Sequence, residues 1–503
     1  MTVAEIRAEL HEPTETFQNF LHEHPELAED FEAARNAHEE KPVRDAEARY
    51  GWATVVQRAA IHRSGAAAKK SRTDRIDTVL THRVFGLIVF VAVMYGVFQS
   101  IYTFAQPLMD WIDADLFGRI KEFASGQLAS MPMVQSFVVD GLITGVGSML
   151  VFLPQILILF FFIAVLEGTG YLARAAFLMD RLLGWCGLNG RAFIPLLSSF
   201  ACAIPGIMAA RVMPDPKSRL ATILVAPLMS CSARVPVYLL LVSAFIQPVY
   251  GRGWAMFAFF AMHLLGLLVA IPIVWFLNRK MIRGTRLPFL LELPPYQWPK
   301  PKDVWLTMFF RAKGFVKTAG SIIVVMSVVI WALSSFPKLT PAQEAQIGTK
   351  AGAQVEQVIQ EEQLRNSALG QFGRAIEPAF LPAGFDWRIT TSILSAFPAR
   401  ETVVSSLGII FSLGGDVDEA DKGLQESLKR ATWPDGRPLF NPWNAVGLMV
   451  FFALCAQCMA TLATVRRETN SWRWPWFMFG YMTTLAYVAA VGIYQLGRAL
   501  GKV

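Results

Sequence analysis

The sequence predicts an all-α, polytopic membrane protein built from two inverted repeats that contain broken or re-entrant helices, and three observations carry that prediction. The 503 residues are 54% hydrophobic and 17% charged, whereas a soluble chain carries about a quarter charged residues. Seven stretches are uncharged or nearly so, and each is long enough to cross hydrocarbon as a helix, which takes about 20 residues. Two further apolar stretches carry Pro, Gly or charge in their middles, where a continuous helix would not tolerate them.

The N-terminal region, residues 1–80, is polar and reads as a soluble cytoplasmic helical region ahead of a membrane domain over 81–503. Its first fifty residues hold 13 Asp/Glu against 5 Lys/Arg. Pro13-Thr14-Glu15 and Pro25-Glu26-Leu27 have the form of helix starts. No apolar core is present, so this is not a signal peptide. Residues 64–75 form a basic approach to the first span and favour a cytoplasmic N-terminus. The net charge of +7 therefore reads as membrane orientation. No basic stripe with interleaved aromatics points to nucleic acid.

Spans are expected over 84–104, 142–166, 220–247, 254–278, 318–337, 442–465 and 474–497, with Arg234 as the one charge among them. The broken segments are 192–210, with Pro195, Pro205 and Gly206, and 389–415, with Pro398, Arg400 and Glu401. Arg174, Arg181, Arg211, Lys217 and Arg219 flank the first and put both its ends in the cytoplasm. The basic stretch 279–317 is also cytoplasmic, and the loop 338–388 lies outside. Span, broken segment and span thus recur: one gate repeat over about 140–250 and another over about 315–467, inverted by the linking span 254–278 and followed by the C-terminal span 474–497. Phe200 and Phe397 precede the two breaks, and Ala226-(x4)-Cys231-x-Ala233 echoes Ala453-(x4)-Cys458-x-Ala460. Paired broken helices in inverted repeats point to a transporter whose site lies where the breaks meet. The plain alternative is two incidental kinks, since Pro is tolerated in spans.

Five cysteines are present, Cys186, Cys202, Cys231, Cys455 and Cys458. An odd number, mostly inside apolar segments, argues against a disulfide framework. Cys202 lies three residues before Pro205, where freed carbonyls can join a thiol, and Cys231 lies beside Met229 and Arg234. Cys455 and Cys458 are spaced to share a helix face. Soft sulfur with a few oxygens suits a divalent transition metal better than magnesium or calcium. Each cysteine taken alone is more often a small buried hydrophobe, and their matched placement in the two repeats favours ligands. Cys455-x-x-Cys458 lacks the second pair of a zinc site and the βαβ setting of a redox motif. Glu401 is an intramembrane carboxylate and so a candidate cation ligand; a plain Arg400–Glu401 pair at a helix mouth competes with that reading. Arg234 suits pairing with a carboxylate or capping of carbonyls, and His263 reads as core. No G-x-x-x-x-G-K-[ST] motif occurs; Gly65-Ala-Ala-Ala-Lys-Lys-Ser lacks the second glycine.

At these residues the chain resembles the membrane domain of FeoB-type ferrous iron transporters, from about Ala46 to Trp476. The resemblance rests on AEARY (46–50), DRIDTVLTHRVFGL (74–87), EGTGYLARAAFLMDRL (167–182), FACAIPGIMAAR (200–211), RLATILVAPLMSCSARVPVY (219–238), GFDWRITTSILSAFPARETVVSSLG (384–408) and CMATLATVRRETNSWRW (458–474). It implies two gate-like inverted repeats around an iron path in a bacterial cytoplasmic membrane, with Cys202 and Cys231 on that path. Glu401 matches the acidic position of the second gate motif. Cys458 matches a cysteine that the family usually places after proline; Gln457 stands there instead, which predicts a weaker backbone break. The family usually carries a GTP-binding domain and a helical spacer before the first span. Residues 1–80 cannot build that domain, so a separate GTPase chain is expected on the cytoplasmic face, with a small accessory protein and possible homo-oligomers.

The reading is a transporter and not an enzyme. Transported Fe2+ passes Cys202, Cys231, Met229, Glu401 and Cys458, and no cofactor is held permanently. Its rivals are a transporter of another divalent metal such as manganese, and a membrane scaffold or sensor that recruits a GTPase. An intramembrane hydrolase would need a Ser/His or paired-Asp constellation at span centres, and none is seen.

Overall fold

The computed structural model describes residues 45–60, 72–186, 188, 190–281, 293–340, 355–397, 400, 402–411, 421–433 and 435–501, with a few single positions elsewhere. Glu401 lies outside the described residues, as do Pro398, Ala399 and most of the expected helix starts near Pro13 and Pro25. Contacts divide the chain into two units, 1–72 and 73–503. In the first, α1 (Asp45–Ala60) is described. The rest concerns the second.

Among the described residues, seven helical stretches are long and apolar enough to cross a membrane: Phe85–Gln127, Pro132–Gly168, Pro216–Tyr250, Arg252–Arg279, Pro301–Ser335, Pro442–Thr469 and Arg473–Ala499. Each covers one of the seven expected spans. Ahead of the first comes α2 (Arg72–Leu80), and Phe85–Gln127 is α3 and Pro132–Gly168 is α4. Next come α5 (Tyr171–Cys186), α6 (Phe193–Ala201), α7 (Ala203–Ala209), α8 (Pro216–Val225), α9 (Val235–Leu241) and α10 (Arg252–Phe276). Pro301–Ser335 is α11. It is followed by α12 (Val355–Asn366), α13 (Ala368–Phe380), α14 (Trp387–Ser395), α15 (Thr402–Ile410), α16 (Lys422–Arg430), α17 (Pro442–Leu454), α18 (Met459–Thr469) and α19 (Arg473–Ala499). No strand forms among the described residues beyond one isolated bridge, Thr432 to Pro438.

Two environments separate these helices. The apolar window of Pro442–Thr469 is 78% buried and that of Pro216–Tyr250 67%, against 11% for Pro301–Ser335 and 18% for Phe85–Gln127. The first two form the centre of the bundle and the others its rim. On the rim helix α10, Phe257, Phe260, Leu264 and Leu268 are exposed at i, i+3 and i+4 spacing, an apolar stripe of the kind a lipid-facing helix presents. A water-exposed surface rarely carries one.

Both segments expected to be broken are helical hairpins. Cys202 is extended (φ −155°, ψ 132°) between α6 and α7. The two helices fold back so closely that a Cβ on Gly206 would lie 1.9 Å from Ser199 Oγ and 2.6 Å from the Pro195 carbonyl oxygen. In the second hairpin the Ser395 hydroxyl donates to Ser406 Oγ at 2.6 Å, eleven residues along, and Thr402 Oγ1 donates to the Ser395 carbonyl at 3.2 Å.

Two spans expected to be continuous are also broken, and these are the two central ones. Pro216–Tyr250 leaves helical geometry at Met229–Cys231, between short 3-10 turns, and Pro442–Thr469 does so at Cys455–Cys458. Cys455 (ψ 156°) and Cys458 (φ −164°, ψ 104°) are extended. They do not share a helix face, which corrects the spacing argument. Four residues leave the helix there without a proline, because the freed groups find partners across the fold: Arg400 donates to the Cys455 and Gln457 carbonyls, and the Gln457 side-chain amide donates to the Ile393 carbonyl at 3.1 Å.

Two sets of polar ties join these elements. Arg211 and Arg219 both reach Glu468, at 2.5 and 3.0 Å, joining the regions on either side of the first hairpin's exit to the end of α18. Arg174, 1% exposed, forks onto Asp77 of α2 and donates to the Gly170 and Pro294 carbonyls, while its guanidinium lies 4.1 Å from the Tyr296 ring centre.

Candidate functional site

Every interruption leaves carbonyls without helical partners, and inside a bilayer they must be satisfied by the protein. At the first central break the answer is local. Arg234, 1% exposed, donates to the carbonyls of Pro227 at 3.0 Å, Leu228 at 3.3 Å and Met229 at 3.0 Å. The capping role expected for Arg234 is what these bonds describe. The approach of α10 is equally tight, since a Cβ on Gly266 would lie 2.1 Å from the Leu228 carbonyl oxygen. At the second central break the donor comes from the neighbouring hairpin. Arg400, 5% exposed, donates to Gln457 O at 2.7 Å, Cys455 O at 2.8 Å and Phe452 O at 3.5 Å.

The four interruptions meet at one cavity of about 120 Å³, room for an ion with a few waters, since one water needs about 10–15 Å³. Cys202 comes to its wall from the first hairpin, Met229 and Cys231 from the first central break, Arg400 from the second hairpin, and Cys458 from the second central break. Gln155 of α4, Ser232 and Thr461 add polar groups, and Ile156, Leu159, Phe315 and Ile323 make much of the rest apolar. The breaks also touch directly, with Ser232 Oγ donating to the Ala201 carbonyl at 3.5 Å and Met459 N to the Phe397 carbonyl at 3.3 Å. Four of the five expected site residues, Cys202, Met229, Cys231 and Cys458, are thus brought together. The fifth, Glu401, lies outside the described residues, although its neighbour Arg400 stands on the cavity wall.

Cys455 does not line the cavity. It is buried, and its thiol faces Phe452 O at 3.8 Å and Gln457 Oε1 at 3.2 Å. His263 is also packing: its Nδ1 lies 2.9 Å from the Phe259 carbonyl, with Phe259 and Tyr238 around its ring, as expected for a core histidine. Among the described residues no three His, Cys, Asp or Glu side chains cluster tightly enough to hold a metal ion. Sequence reasoning missed Gln155 and Thr461, and it did not assign Arg400 to carbonyls. An isolated polar residue at span centre was the available signal.

Outside the spans, Asp77 has a shifted carboxyl. Burial pushes it up, but hydrogen bonds from Arg174 and Tyr296 and the Arg174 charge outweigh this and hold it below the usual carboxylate range. The Tyr296 hydroxyl, half-buried and donating to Asp77 at 2.6 Å, is pushed up in turn.

Two family models match. One, "Gate: Nucleoside recognition", covers residues 149–245 and 316–472, the two blocks that supply the hairpins and broken helices. The other, "Ferrous iron transport protein B C terminus", covers 259–311 between them. A Leptospira biflexa protein named Fe(2+) transporter FeoB is 39% identical over 443 residues, 87% of this chain and 61% of its own length. A Porphyromonas gingivalis Fe(2+) transport protein A/Fe(2+) transporter FeoB fusion protein is 37% identical over 521 residues, 98% of this chain and 60% of its own. A Staphylococcus aureus Fe(2+) transporter FeoB is 36% identical, covering 86% and 60%. The chain spans about three-fifths of the length of these curated relatives. No solved structure matches it. With just over half of its residues matched by the Gate model and 259–311 by the FeoB C-terminal model, the chain belongs to the Gate family as a FeoB-type membrane domain.

Proposed function

We propose that the chain is the permease of a ferrous iron uptake system, carrying Fe2+ inward across a bacterial cytoplasmic membrane. The observation that carries this reading is the convergence of sulfur from three separate chain interruptions, Cys202, Met229 with Cys231, and Cys458, on one cavity. Thiolate and thioether are soft ligands that suit ferrous iron better than magnesium or calcium, and the relatives' names supply the same cargo. The ion sheds water against these sulfurs, Glu401 and main-chain oxygens, and motion of one half-repeat against the other releases it inside. An open wall of weak ligands suits passage, because a bound ion must also leave.

The two halves act as inverted repeats in this reading. GTP hydrolysis, which needs a phosphate-binding loop absent from these 503 residues, is supplied by another chain docking on the cytoplasmic face. A small accessory protein fits the same assembly, since the Porphyromonas gingivalis relative joins a protein named Fe(2+) transport protein A to its transporter part. The deciding experiment is ferrous uptake by the purified chain in liposomes, with manganese and zinc as competitors, with and without a candidate GTPase. Uptake that requires Cys202 and Cys231 supports the path; undiminished uptake in the Cys202→Ser/Cys231→Ser variant removes it.

A further inference from the structure

Arg400 uses its donor fork on main-chain oxygens of another element. These are the oxygens of Phe452, Cys455 and Gln457, left over where α17 ends. A ring of carbonyl oxygens is what replaces the water shell of a dehydrated cation, and a helix C-terminus carries partial negative charge that favours one. The cradle at the second central break is therefore already filled, by a cation tethered to the protein. Arg234 fills the matching cradle of the first break, but it is anchored within its own segment and is absent from the cavity wall. Arg400 is on that wall, beside Cys231 and Cys458. Its guanidinium cannot lose its proton in a protein, so only movement can remove its charge.

We propose that Arg400 is a tethered cation that closes the cavity. While it holds the 452–457 oxygens, its charge keeps a free cation out of the cysteine-lined space. When the second hairpin shifts against the second central helix, Arg400 withdraws, and the incoming ion takes over the oxygens it leaves. The guanidinium thus exchanges with the cargo at one set of ligands. Arg400 here is a positioning and gating group. The identity of the cargo as ferrous iron rests on the function proposed above; the closure itself does not.

The test uses the purified full chain in liposomes with no partner added. Sodium entry is read with an entrapped indicator, and ferrous entry by quenching of entrapped calcein under ascorbate. Wild type should admit both slowly, Arg400→Gln should admit both at least about tenfold faster, and Arg400→Lys, which keeps the charge, should restore most of the seal. An Arg400→Gln protein with wild-type elution and melting whose sodium entry stays at the wild-type rate overturns the proposal, as does a wild type that already leaks as fast. Faster sodium without faster iron upholds the closure and counts against iron as cargo. If Arg400→Gln does not fold, the unaltered protein decides. Cys458 is labelled with anionic and cationic methanethiosulfonates of similar size, each rate taken relative to a free thiol. A clear anionic preference supports the charge gate. Equal rates or a cationic preference overturns it.

Discussion

The two central helices are broken at matching places, yet they are held by different means. In Pro216–Tyr250 the arginine that caps the freed carbonyls sits five to seven residues further along the same segment. In Pro442–Thr469 the arginine comes from a hairpin more than fifty residues away. The first break is a self-contained local structure. The second exists only while hairpin and helix stay docked, so it is the one that relative motion can undo. One half of the site is thereby rigid and the other is poised to rearrange.

The largest effect is expected at the rigid break. Arg234→Gln should cost about 3–5 kcal/mol, the scale of removing one partner from a buried charged network, read as a loss of melting temperature in detergent. Arg400→Gln should cost less, because Arg400 itself stands on the wall of a cavity that water can enter; an equal loss would erase the distinction between the halves. Next come the cysteines. Cys231→Ser should lower ferrous uptake on the order of tenfold, about 1.4 kcal/mol, whereas Cys455→Ser, off the cavity wall, should leave it within about twofold of wild type, the small cost of a local thiol contact. Equal losses would show that proximity to the break, and not the cavity, is what matters.

A smaller effect concerns the tie between the halves. Glu468, its side chain 2% exposed, bridges Arg211 and Arg219. Glu468→Gln should destabilise by about 1 kcal/mol, and it should accelerate ion release if that end opens during transport. The smallest is a pH effect on the rigid side. The folded-state carboxyl of Asp77 lies below its ordinary value, so its contribution is fully present above about pH 4, the unfolded carboxylate range, and is lost only as the pH falls through the lowered value. The melting difference between wild type and Asp77→Asn should stay constant from pH 8 to about pH 5. A difference that fades within that window would place the Asp77 carboxyl higher than its partners allow.

Much of this architecture is legible from residues alone because its signals are local. Twenty apolar residues in a row make a span wherever they are placed, and each of the seven expected spans falls on a helical stretch, two of them interrupted. Pro195, Pro205 and Gly206 announce the first hairpin, since proline removes a donor and only glycine permits the observed approach to Ser199 and the Pro195 carbonyl. The sulfur atoms that the cavity gathers are equally readable, and so is the capping by Arg234, whose targets lie within seven residues.

What residues alone do not disclose is the second central break. CAQCMA contains no proline and no glycine, and by propensity it continues the helix; Cys455 and Cys458 then seem equivalent. The fold decides otherwise. A helix can open without a local breaker when its freed carbonyls find a donor elsewhere, and Arg400 is that donor. Composition and periodicity determined which segments enter the membrane and which atoms could bind a soft metal. Only the tertiary structure decided which of those atoms face a common cavity, because that depends on hydrogen bonds between segments far apart in the chain, which no local pattern encodes.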